Sequence, residues 1–425
     1  MTSDRPLRFC MITTFYPPYN FGGDGIFVHQ LANELAVRGH HVEVVHCINA
    51  YRLMGRSAPT QPYNDHPNVK VHGLRSCLGS FSPLATQQTG RPLFKSAPIR
   101  QILAQGFDVI HYHNISLIGP KVLEYGDAIK LYTMHEFWLV CPTHVLFKFN
   151  REVCTRRHCF TCGLTYKRPP QWWRHSGLLQ SAIQNVDAFI APSRFSKDMH
   201  NRLGFEAPVM HLPNFVSGTS DGNPLLARRP ENQSVKKPYF LFVGRLEKLK
   251  GLQTIISLFQ RYVKAELWIA GAGKYEPHLR QLVNSGENVR FLGNKTKDEL
   301  QVLYRNAIAL VVPSICLEVF PLVVLEAFLQ RTPAIVRNIG GLPEIIHESG
   351  GGLVYDTEAQ LLCAMEELLS DKRRRDYLGD SGFTATVQKW SAEAHLASYL
   401  KLIAQIGAAR DDTSPNLKSN RPLWY

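Results

Sequence analysis

AIALVVPSICLEVFPLVVLEAFLQRTPAIVR, residues 307–337, contains two short apolar runs on either side of a longer apolar stretch. The runs AIALVVP (307–313) and PAIVR (333–337) have the length and β-branched content of buried strands. The segment between them can hold a helix that starts near Pro321 and continues to about Leu329. Two strands joined by a helix predict a βαβ unit in a parallel sheet.

The same alternation of strand-like runs and helical stretches extends through two halves of the chain. The polar segment 214–238, with Gly, Pro and mixed charge, predicts a linker between them. We therefore predict two doubly wound, parallel-sheet α/β (Rossmann-like) domains facing each other across a cleft, over 1–213 and 239–389. The strand-like runs are RFCMIT (8–13), HVEVVHC (41–47), FDVIHYH (107–113), IKLYTM (129–134), DAFIAP (187–192) and PVMHLP (208–213), then YFLFVG (239–244), ELWIAG (266–271), VRFLG (289–293), AIALVVP and PAIVR.

Length and composition describe a globular protein with a basic surface. The 425 residues suffice for two domains with full cores, and 44% hydrophobic and 20% charged residues are ordinary values. The net charge of +13 favours anionic partners, namely a nucleotide-linked substrate, nucleic acid or an acidic membrane face. No nucleic-acid-binding motif accompanies it, so we expect no nucleic-acid partner. Without a signal-peptide pattern or a membrane-length apolar run, we expect a cytoplasmic protein whose nine cysteines are reduced thiols or metal ligands.

Glycines and cations follow several predicted strands, where the edge of a parallel sheet binds ligands. Gly22 and Gly23 precede a helix expected to start near residue 25, and adjacent glycines let backbone N–H groups approach an anion. A tight turn without a ligand is the alternative. In GRLEKLKG (244–251), Arg245 and Lys250 beside a helix start predict a diphosphate site, with a solvated basic loop as the alternative.

Two more strand ends border the same region. Gly271 and Gly273 follow a predicted strand where a ligand could approach the backbone, and Leu292 could border a pocket for the base. Thr296 is followed three residues later by Glu299, which predicts a capping box with a structural role.

Two glutamates, Glu318 and Glu326, stand in the apolar stretch with seven residues between them. Carboxylates are almost never fully buried without a partner, so each of them needs a group to face. Glu318 is expected in the loop before the helix and Glu326 inside it, and five helical residues span roughly 7–8 Å. The pair could therefore reach different parts of one elongated ligand.

The start of this helix adds an anion site between the two carboxylates. Its first N–H groups lack intrahelical acceptors, and the helix dipole favours negative charge there. A ligand with hydroxyls at both ends and phosphates between them is a nucleotide-diphosphate sugar. The alternatives are an ion-paired or capping Glu326 with a solvated Glu318, or a glycosidase pair, against which the cationic loop argues. The N–H groups assigned to the ligand belong to Val319, Phe320 and Leu322.

Taken in this order, the motifs resemble those of the group 1 glycosyltransferases, retaining enzymes with the GT-B architecture. The resemblance covers nearly the whole chain, and its specific part is the E-x7-E pattern of Glu318 and Glu326. A final helix within 390–425 that returns to the N-terminal domain is implied by the closing stretch. The supporting stretches are the early GG loop, VGRLEKLKG (243–251), APSRFSKD (191–198), LPN (212–214), GGLPEII (340–346) and WSAEAHLASY (390–399).

The resemblance implies transfer of a sugar from a nucleotide-diphosphate donor to a hydroxyl acceptor, with retention of configuration. No metal would be needed for phosphate binding. Arg245 and Lys250 would bind the diphosphate and stabilise its growing charge as it leaves, Glu318 would hold sugar hydroxyls, and Glu326 would hold the ribose. The acceptor could be a glycan, a lipid-linked molecule or a small molecule, most readily in cell-surface polysaccharide or glycolipid assembly.

The same resemblance assigns a glycine loop and a histidine of the first domain to the site. Gly22 and Gly23 would border the phosphate and sugar, and His135, in TMHEFW, would orient or stabilise the sugar. Three departures from the family pattern stand out: Glu136 where Asp is usual, Pro321 where Gly is frequent, and PNFVS in place of PNGVD. A sugar-nucleotide epimerase of the same fold and an inert relative that binds a nucleotide sugar or a partner are the alternative functions.

The insert CPTHVLFKFNREVCTRRHCFTCGLTYKRPPQWWRH (141–175) is rich in cysteines, cations and aromatic residues. Its cysteines could bind a structural zinc, with His144 or His158 able to replace one of them, or could be thiols that pack a loop. Its basic and aromatic residues suit an anionic acceptor or peripheral contact with an anionic membrane. An ordinary rim of the acceptor cleft is the alternative. The two sets are Cys141, Cys154, Cys159 and Cys162, and Lys148, Arg151, Arg156, Arg157, Lys167, Arg168, Trp172, Trp173 and Arg174.

Overall fold

The computed structural model describes residues 5–55, 59, 63–218, 237–283 and 288–412. These form two compact units: the first takes in the described parts of 1–145, 156–214 and 392–425, the second those of 146–155 and 215–391. Most of the predicted linker 214–238 and the end of the predicted tail lie outside the described residues. The division differs from the expected one because residues 146–155 group with the second unit.

A seven-stranded parallel sheet forms the centre of the first unit. Its strands are buried at most positions, as in Val109–Tyr112 and Ala188–Ala191, which is typical of a parallel sheet covered by helices on both faces. The third strand was not predicted, because VKVHGL at the sheet edge alternates polar and apolar residues and is largely exposed. The strands are β1 (Arg8–Ile12), β2 (His41–Cys47), β3 (Val69–Leu74), β4 (Val109–Tyr112), β5 (Ile129–Thr133), β8 (Ala188–Ala191) and β9 (Val209–His211), in the order 3-2-1-4-5-8-9.

Eight helices accompany this sheet among the described residues of the first unit. The last of them packs against the sheet, where the Tyr399 hydroxyl lies 2.9 Å from His111 Nδ1 and Arg410 forms an ion pair of 2.6 Å with Asp187. The helices are α1 (Gly23–Val37), α2 (Ile48–Leu53), α3 (Phe81–Thr89), α4 (Ser96–Leu103), α5 (Cys159–Thr165), α6 (Leu178–Ile183), α7 (Arg194–Arg202) and α15 (Ala392–Asp412).

The second unit contains a six-stranded parallel sheet and a small hairpin. Gly352 opens its last strand, which was not predicted, and a Cβ there would lie 2.0 Å from the carbonyl oxygen of Ala334 on the neighbouring strand. The hairpin consists of β6 (Phe147–Lys148) and β7 (Glu152–Val153). The sheet strands are β10 (Tyr239–Val243), β11 (Glu266–Ala270), β12 (Val289–Gly293), β13 (Leu310–Val312), β14 (Ala334–Arg337) and β15 (Gly352–Tyr355), in the order 12-11-10-13-14-15.

The helices of the second unit follow the sequence patterns with one shift. The predicted capping box is confirmed: Glu299 N–H donates to Thr296 Oγ1, and Thr296 N–H donates to Glu299 Oε2 at 2.8 Å. The helix of the E-x7-E stretch starts at Leu322, so Pro321 is its N-cap in an extended conformation and not its first residue. The helices are α8 (Ile256–Arg261), α9 (Glu276–Leu282), α10 (Lys297–Asn306), α11 (Leu322–Leu329), α12 (Leu342–Ser349), α13 (Glu358–Ser370) and α14 (Lys372–Lys389).

In both sheets, the order in which successive strands are added reverses next to the first strand. The order passes from β1 to β4 in the first unit and from β10 to β13 in the second, and each crossing is a topological switch point. Ligands of doubly wound sheets bind outside the carboxyl ends of the strands at such points. The loops that follow β10 and β13 are therefore the first place to examine in the second unit.

Candidate active site

The loops after β10 and β11 are held together by backbone contact. Leu246 N–H donates to the carbonyl of Ala272 at 3.1 Å, and Tyr275 N–H donates to the carbonyl of Leu246 at 3.0 Å. A Cβ on Gly273 would lie 2.3 Å from the Leu246 oxygen. This close approach alone accounts for the glycine, so a contact of Gly273 with a ligand stays a prediction.

The loops after β10 and β13 also lie in direct contact. Gly251 has φ +76°, and a Cβ there would lie 1.8 Å from the carbonyl oxygen of Pro313. Ile315 N–H donates to the carbonyl of Leu249 at 2.9 Å. Only glycine combines this backbone conformation with this approach, so Gly251 sets the distance between the two loops.

That contact brings two predicted site residues into an ion pair. Lys250 Nζ donates to Glu318 Oε1 at 2.7 Å, and Ser314 Oγ donates to the same oxygen at 2.6 Å. Burial favours the neutral forms of both groups, but their attraction outweighs it, so the pKa of Lys250 is raised and that of Glu318 is lowered. Both groups are therefore charged near neutral pH.

Arg245 adds a second cation to this cluster. Its charge helps to lower the pKa of Glu318, and it opposes the rise in the pKa of Lys250. Arg245 pairs with Glu247 at 2.8 Å and keeps 40% of its side chain exposed. The structure thus brings Arg245, Lys250 and Glu318 together at the switch point.

The backbone of Glu318 is fixed from a fourth loop. Gly341 N–H donates to the carbonyl of Glu318 at 2.7 Å, and a Cβ on Gly340, whose φ is +64°, would lie 2.5 Å from Glu318 N. The GGLPEII stretch therefore acts here as a support for the Glu318 loop.

Glu326 lies on α11 in a different environment. The Tyr304 hydroxyl donates to Glu326 Oε2 at 2.9 Å. Burial raises the pKa of Glu326, and this outweighs the opposing effects of Tyr304 and Lys297. Among the described residues, no hydrogen bond to its other oxygen, Oε1, is found. The carboxylate is half-buried, with one oxygen anchored.

The backbone before α11 offers donors without protein acceptors. No acceptor for the N–H groups of Val319 and Phe320 occurs among the residues that the structure covers. Val319 is buried, the Phe320 ring lies 6.1 Å from that of Trp390, and Leu322 starts the helix. Leu292 lies in β12, one residue before its end.

In the first unit, the GG loop forms the start of α1. Gly22 is the N-cap and Gly23 the first helical residue, two positions earlier than expected. A Cβ on Gly23 would meet nothing within 4 Å, so this backbone is open to a ligand. Asp24 follows in the first turn, and Asn114 Nδ2 donates to its Oδ2 at 3.0 Å.

His135 follows β5 and belongs to a row of histidines. Its Nε2 lies 3.0 Å from Nδ1 of His113, and the ring of His113 lies 4.0 Å from that of His111. His395 of α15 is placed by a hydrogen bond of 2.7 Å from its Nδ1 to the carbonyl of Pro213. Burial is the main cause that lowers the pKa of His135 to about 4, although Asp24 opposes it. His135 is therefore neutral near pH 7.

Comparison with known proteins identifies the family. Residues 226–384 match the model of glycosyl transferases group 1, and residues 21–217 match that of glycosyltransferase family 4. An uncharacterised glycosyltransferase of Methanocaldococcus jannaschii is 35% identical over 91% of this chain and 95% of its own. The chain belongs to the group 1 glycosyltransferase family.

Other relatives and solved structures agree with this assignment. A glycogen synthase of Mycobacterium tuberculosis is 27% identical over 86% of each chain. Sucrose-phosphate synthase from Thermosynechococcus elongatus has a TM-score of 0.73 at 21% identity, covering 95% of this chain and 100% of that one. Anabaena HepE, solved with UDP, has a TM-score of 0.63 at 14% identity, covering 94% and 100%. The predicted fold class, two doubly wound domains of GT-B type, and the predicted glycosyltransferase activity are confirmed.

Several side chains of this glycosyltransferase that hold the site were missed from the sequence. Ser314 binds Glu318, and its position just after the β13 run was an available signal. Asp24 directly follows the GG pair, and Asn114 follows HYH at the end of β4. Tyr304 lies in the last turn of α10, and nothing local in the sequence links it to Glu326.

The cysteines of the insert were predicted to bind a structural zinc. Within the described residues, no three His, Cys, Asp or Glu side chains are placed to hold a metal ion. Cys141 is buried with its Sγ 3.3 Å from Thr143 Oγ1, Cys162 is buried, Cys159 is exposed, and Cys154 belongs to the second unit. Burial raises the pKa of Cys159, and the nearby thiols Cys141 and Cys162 raise it further, so these three thiols lie near one another and the zinc site stays a prediction.

The basic and aromatic residues of the insert are only partly on the surface. Trp173 is buried, and the Arg174 guanidinium lies 4.7 Å from its ring centre and donates to the carbonyl of Trp138 at 2.6 Å. His144 is held by Glu136 at 2.8 Å. No helix among the described residues is long and apolar enough to cross a membrane. The exposed apolar side chains of the insert are Phe160, Leu164 and Trp172.

Gly273→Ala tests the packing explanation for the second glycine loop. The added Cβ would meet the Leu246 carbonyl at 2.3 Å, so we expect about 1–3 kcal/mol of destabilisation without any ligand. The midpoint of thermal unfolding measures it. Gly163→Ala is the control, since its Cβ would meet the Arg168 oxygen at an ordinary 3.6 Å. Equal midpoints for both variants would contradict the packing explanation.

The buried histidines predict a loss of stability in mild acid. The pKa of His395 falls from 6.5 to about 4 on folding, mainly through burial, so the unfolded chain binds more protons between these values. Stability is therefore complete above pH 6.5 and decreases as pH falls towards 4. His395→Gln should reduce the slope of unfolding free energy against pH. The exposed His175→Gln should leave that slope unchanged, and an unchanged slope in both variants would refute the prediction.

Proposed function

We propose that this glycosyltransferase moves a sugar from a nucleotide-diphosphate-sugar donor to a hydroxyl acceptor with retention of anomeric configuration. The observation that carries the proposal is the cluster of Arg245, Lys250 and Glu318 at the switch point of the second sheet. Glu326 follows on α11 as the second member of the E-x7-E pattern. In a solvated basic loop, the lysine would face water and would not be held against a buried, charged carboxylate.

The chemistry of each group supports a separate contact with the donor. Arg245 and Lys250 are cations suited to the diphosphate, and the N–H groups of Val319 and Phe320 suit its oxygens. Glu318 has one oxygen held by Lys250 and Ser314, which leaves the other to accept bonds from sugar hydroxyls. The Oε1 atom of Glu326 suits the ribose hydroxyls in the same way. Gly273, Leu322 and Leu292 are proposed to line the nucleotide.

The proposed reaction breaks the bond between the anomeric carbon and the phosphate oxygen of the donor. The bonding electrons leave with the diphosphate, and the acceptor oxygen bonds to the anomeric carbon on the same face. The acceptor proton passes to the leaving diphosphate oxygen. Arg245 and Lys250 stabilise the charge that develops on that oxygen, and the proposal requires no metal ion.

The first unit contributes a neutral histidine and an open helix start in this proposal. His135 is uncharged near pH 7, so it can accept or donate a single hydrogen bond but does not act as an imidazolium acid. It would orient the transferred sugar. The open backbone at Gly23, with Gly22 before it, suits the sugar and phosphate.

The donor class rests on the site chemistry and on one structural neighbour. HepE of Anabaena was solved with UDP, which supports a nucleotide-diphosphate donor for this chain while leaving the base open. The acceptor is proposed to be a glycan, lipid-linked or small-molecule hydroxyl, in cell-surface polysaccharide or glycolipid assembly on the cytoplasmic side.

Peripheral contact with an anionic membrane is part of the same proposal. Residues 154–186 contain no Asp or Glu, and Phe160, Leu164 and Trp172 are exposed there at 54%, 51% and 61%. The rings of Phe160 and Trp172 lie 6.0 Å apart. Exposed aromatic residues beside cations such as Lys167 suit the interface of an anionic membrane.

Glu326→Ala tests the donor site. Calorimetry with UDP, GDP, ADP, dTDP and CDP and their sugars should find one nucleotide class that binds the wild type. Loss of a charged hydrogen-bond acceptor should weaken it roughly 10–100-fold. The control is Glu366→Ala on α13, which removes an ion pair of 2.8 Å with Lys264 and should bind the nucleotide normally.

Two results would contradict the donor site: no binding by folded wild type, or equal binding by wild type and Glu326→Ala. An acceptor screen then tests the transfer. Donor turnover without an acceptor product would indicate epimerisation or slow hydrolysis of the donor instead of transfer.

Vesicle sedimentation tests the membrane contact. Wild type should bind vesicles that contain phosphatidylglycerol at low salt, and it should not bind pure phosphatidylcholine. Trp172→Ala and Lys167→Glu should each weaken binding, the latter by about 1 kcal/mol or more. Tyr377→Ala removes an aromatic side chain that is 64% exposed in the second unit and should have no effect. Absence of wild-type binding would remove the membrane contact from the proposal.

A further inference from the structure

Residues 146–155 belong to the second unit, although the residues on both sides of them in the sequence belong to the first. They form the hairpin of β6 and β7, in which Phe147 pairs with Val153 and Lys148 with Glu152. Leu146 and Phe147 are only 3% exposed. The hairpin therefore groups with the second unit, and its first two side chains are buried.

The turn of this hairpin has an unusual sequence for its conformation. Arg151 N–H donates to the carbonyl of Lys148 at 3.0 Å, and Phe149 and Asn150 between them have φ of 53° and 56°. Two consecutive left-handed residues form a type I′ turn, which favours Asn-Gly. Asn tolerates this region, but Phe does not do so readily. Such strain persists only where the surroundings fix the backbone, and it is frequent near functional sites.

The turn contacts the loop that carries the donor-binding cations. Lys248 Nζ donates to the carbonyl of Asn150 at 2.8 Å. Lys248 opens the short 3₁₀ turn Lys248–Lys250, and its own carbonyl accepts from Gln253 Nε2 at 2.9 Å. The side chain and the backbone of Lys248 are thus both anchored. Lys250, two residues later in the same turn, reaches Glu318 at 2.7 Å.

A single 3₁₀ turn has poor hydrogen-bond geometry, so its conformation depends on such anchors. The hydrogen bond to the carbonyl of Asn150 also fixes the Lys248 ammonium group. Without it, this group would be one more mobile cation near Glu247 and the proposed diphosphate site. We propose that the hairpin 146–155 is a positioning element of the donor site, which acts through Lys248 to hold Lys250 in place. This inference rests on the proposed function of the Lys250–Glu318 cluster.

A double-mutant cycle on donor binding tests it. Lys248→Met removes the donor of the hydrogen bond, and Asn150→Pro removes the turn, because proline holds φ near −65° where the hairpin needs 56°. Each change should weaken nucleotide-sugar binding about tenfold. The double variant should bind as each single variant does, because both act through one contact. The KM for the acceptor should stay at the wild-type value.

Two controls separate positioning from general damage. Phe149→Asn with Asn150→Gly keeps the turn type and the carbonyl, so it should bind donor as the wild type does. Lys264→Met removes a lysine of the same unit that pairs with Glu366 and should also bind normally.

The outcomes distinguish this inference from the proposed function. Unchanged donor affinity in Lys248→Met, or effects of the two changes that multiply, would overturn the positioning role even if Asn150→Pro fails to fold. In that case wild-type binding and its loss in Glu326→Ala would still support the donor site. A wild type that binds no nucleotide sugar would overturn the proposed function itself.

Discussion

The contact between Gly251 and the carbonyl of Pro313 is the constraint on which the Lys250–Glu318 ion pair depends. It lets the loops after β10 and β13 approach closely enough for Lys250 to reach Glu318 at 2.7 Å. A side chain at this position would separate the loops, and the two charges would each face burial without compensation. The ion pair of the site therefore depends on the backbone conformation of one glycine.

The two glutamates of the E-x7-E stretch differ in a way that fits the two roles proposed for them. Glu318 lies against a cation and its pKa is lowered, whereas Glu326 lies against a tyrosine and its pKa is raised by burial. A permanently ionised carboxylate suits the part of the donor where charge changes during the reaction. A carboxylate anchored by a neutral hydroxyl suits a part that is only bound, such as the ribose.

Much of this arrangement could be predicted because it is local in the sequence. The strand runs, the capping box of α10 and the cations after β10 all follow from patterns within about ten residues. The strands β3 and β15 were missed because an edge strand and a glycine-led strand lack the apolar run of a buried one. Ser314 and Tyr304 were missed because their partners are decided by which strands and helices lie side by side.

In the cysteine insert, too, the local sequence pattern does not decide which residues come together. The spacing of its cysteines predicted a zinc site, but the chain places Cys154 on the hairpin of the second unit and Cys159 on the surface. Spacing fixes only how far apart the ligands are along the chain, and it does not decide which of them meet in the folded protein. The insert supplies a backbone carbonyl that accepts a hydrogen bond from Lys248. Every residue has such a carbonyl, so no residue type in the sequence indicates this contact. The contact that links the insert to the loop after β10 is therefore of the kind that only a structure can reveal.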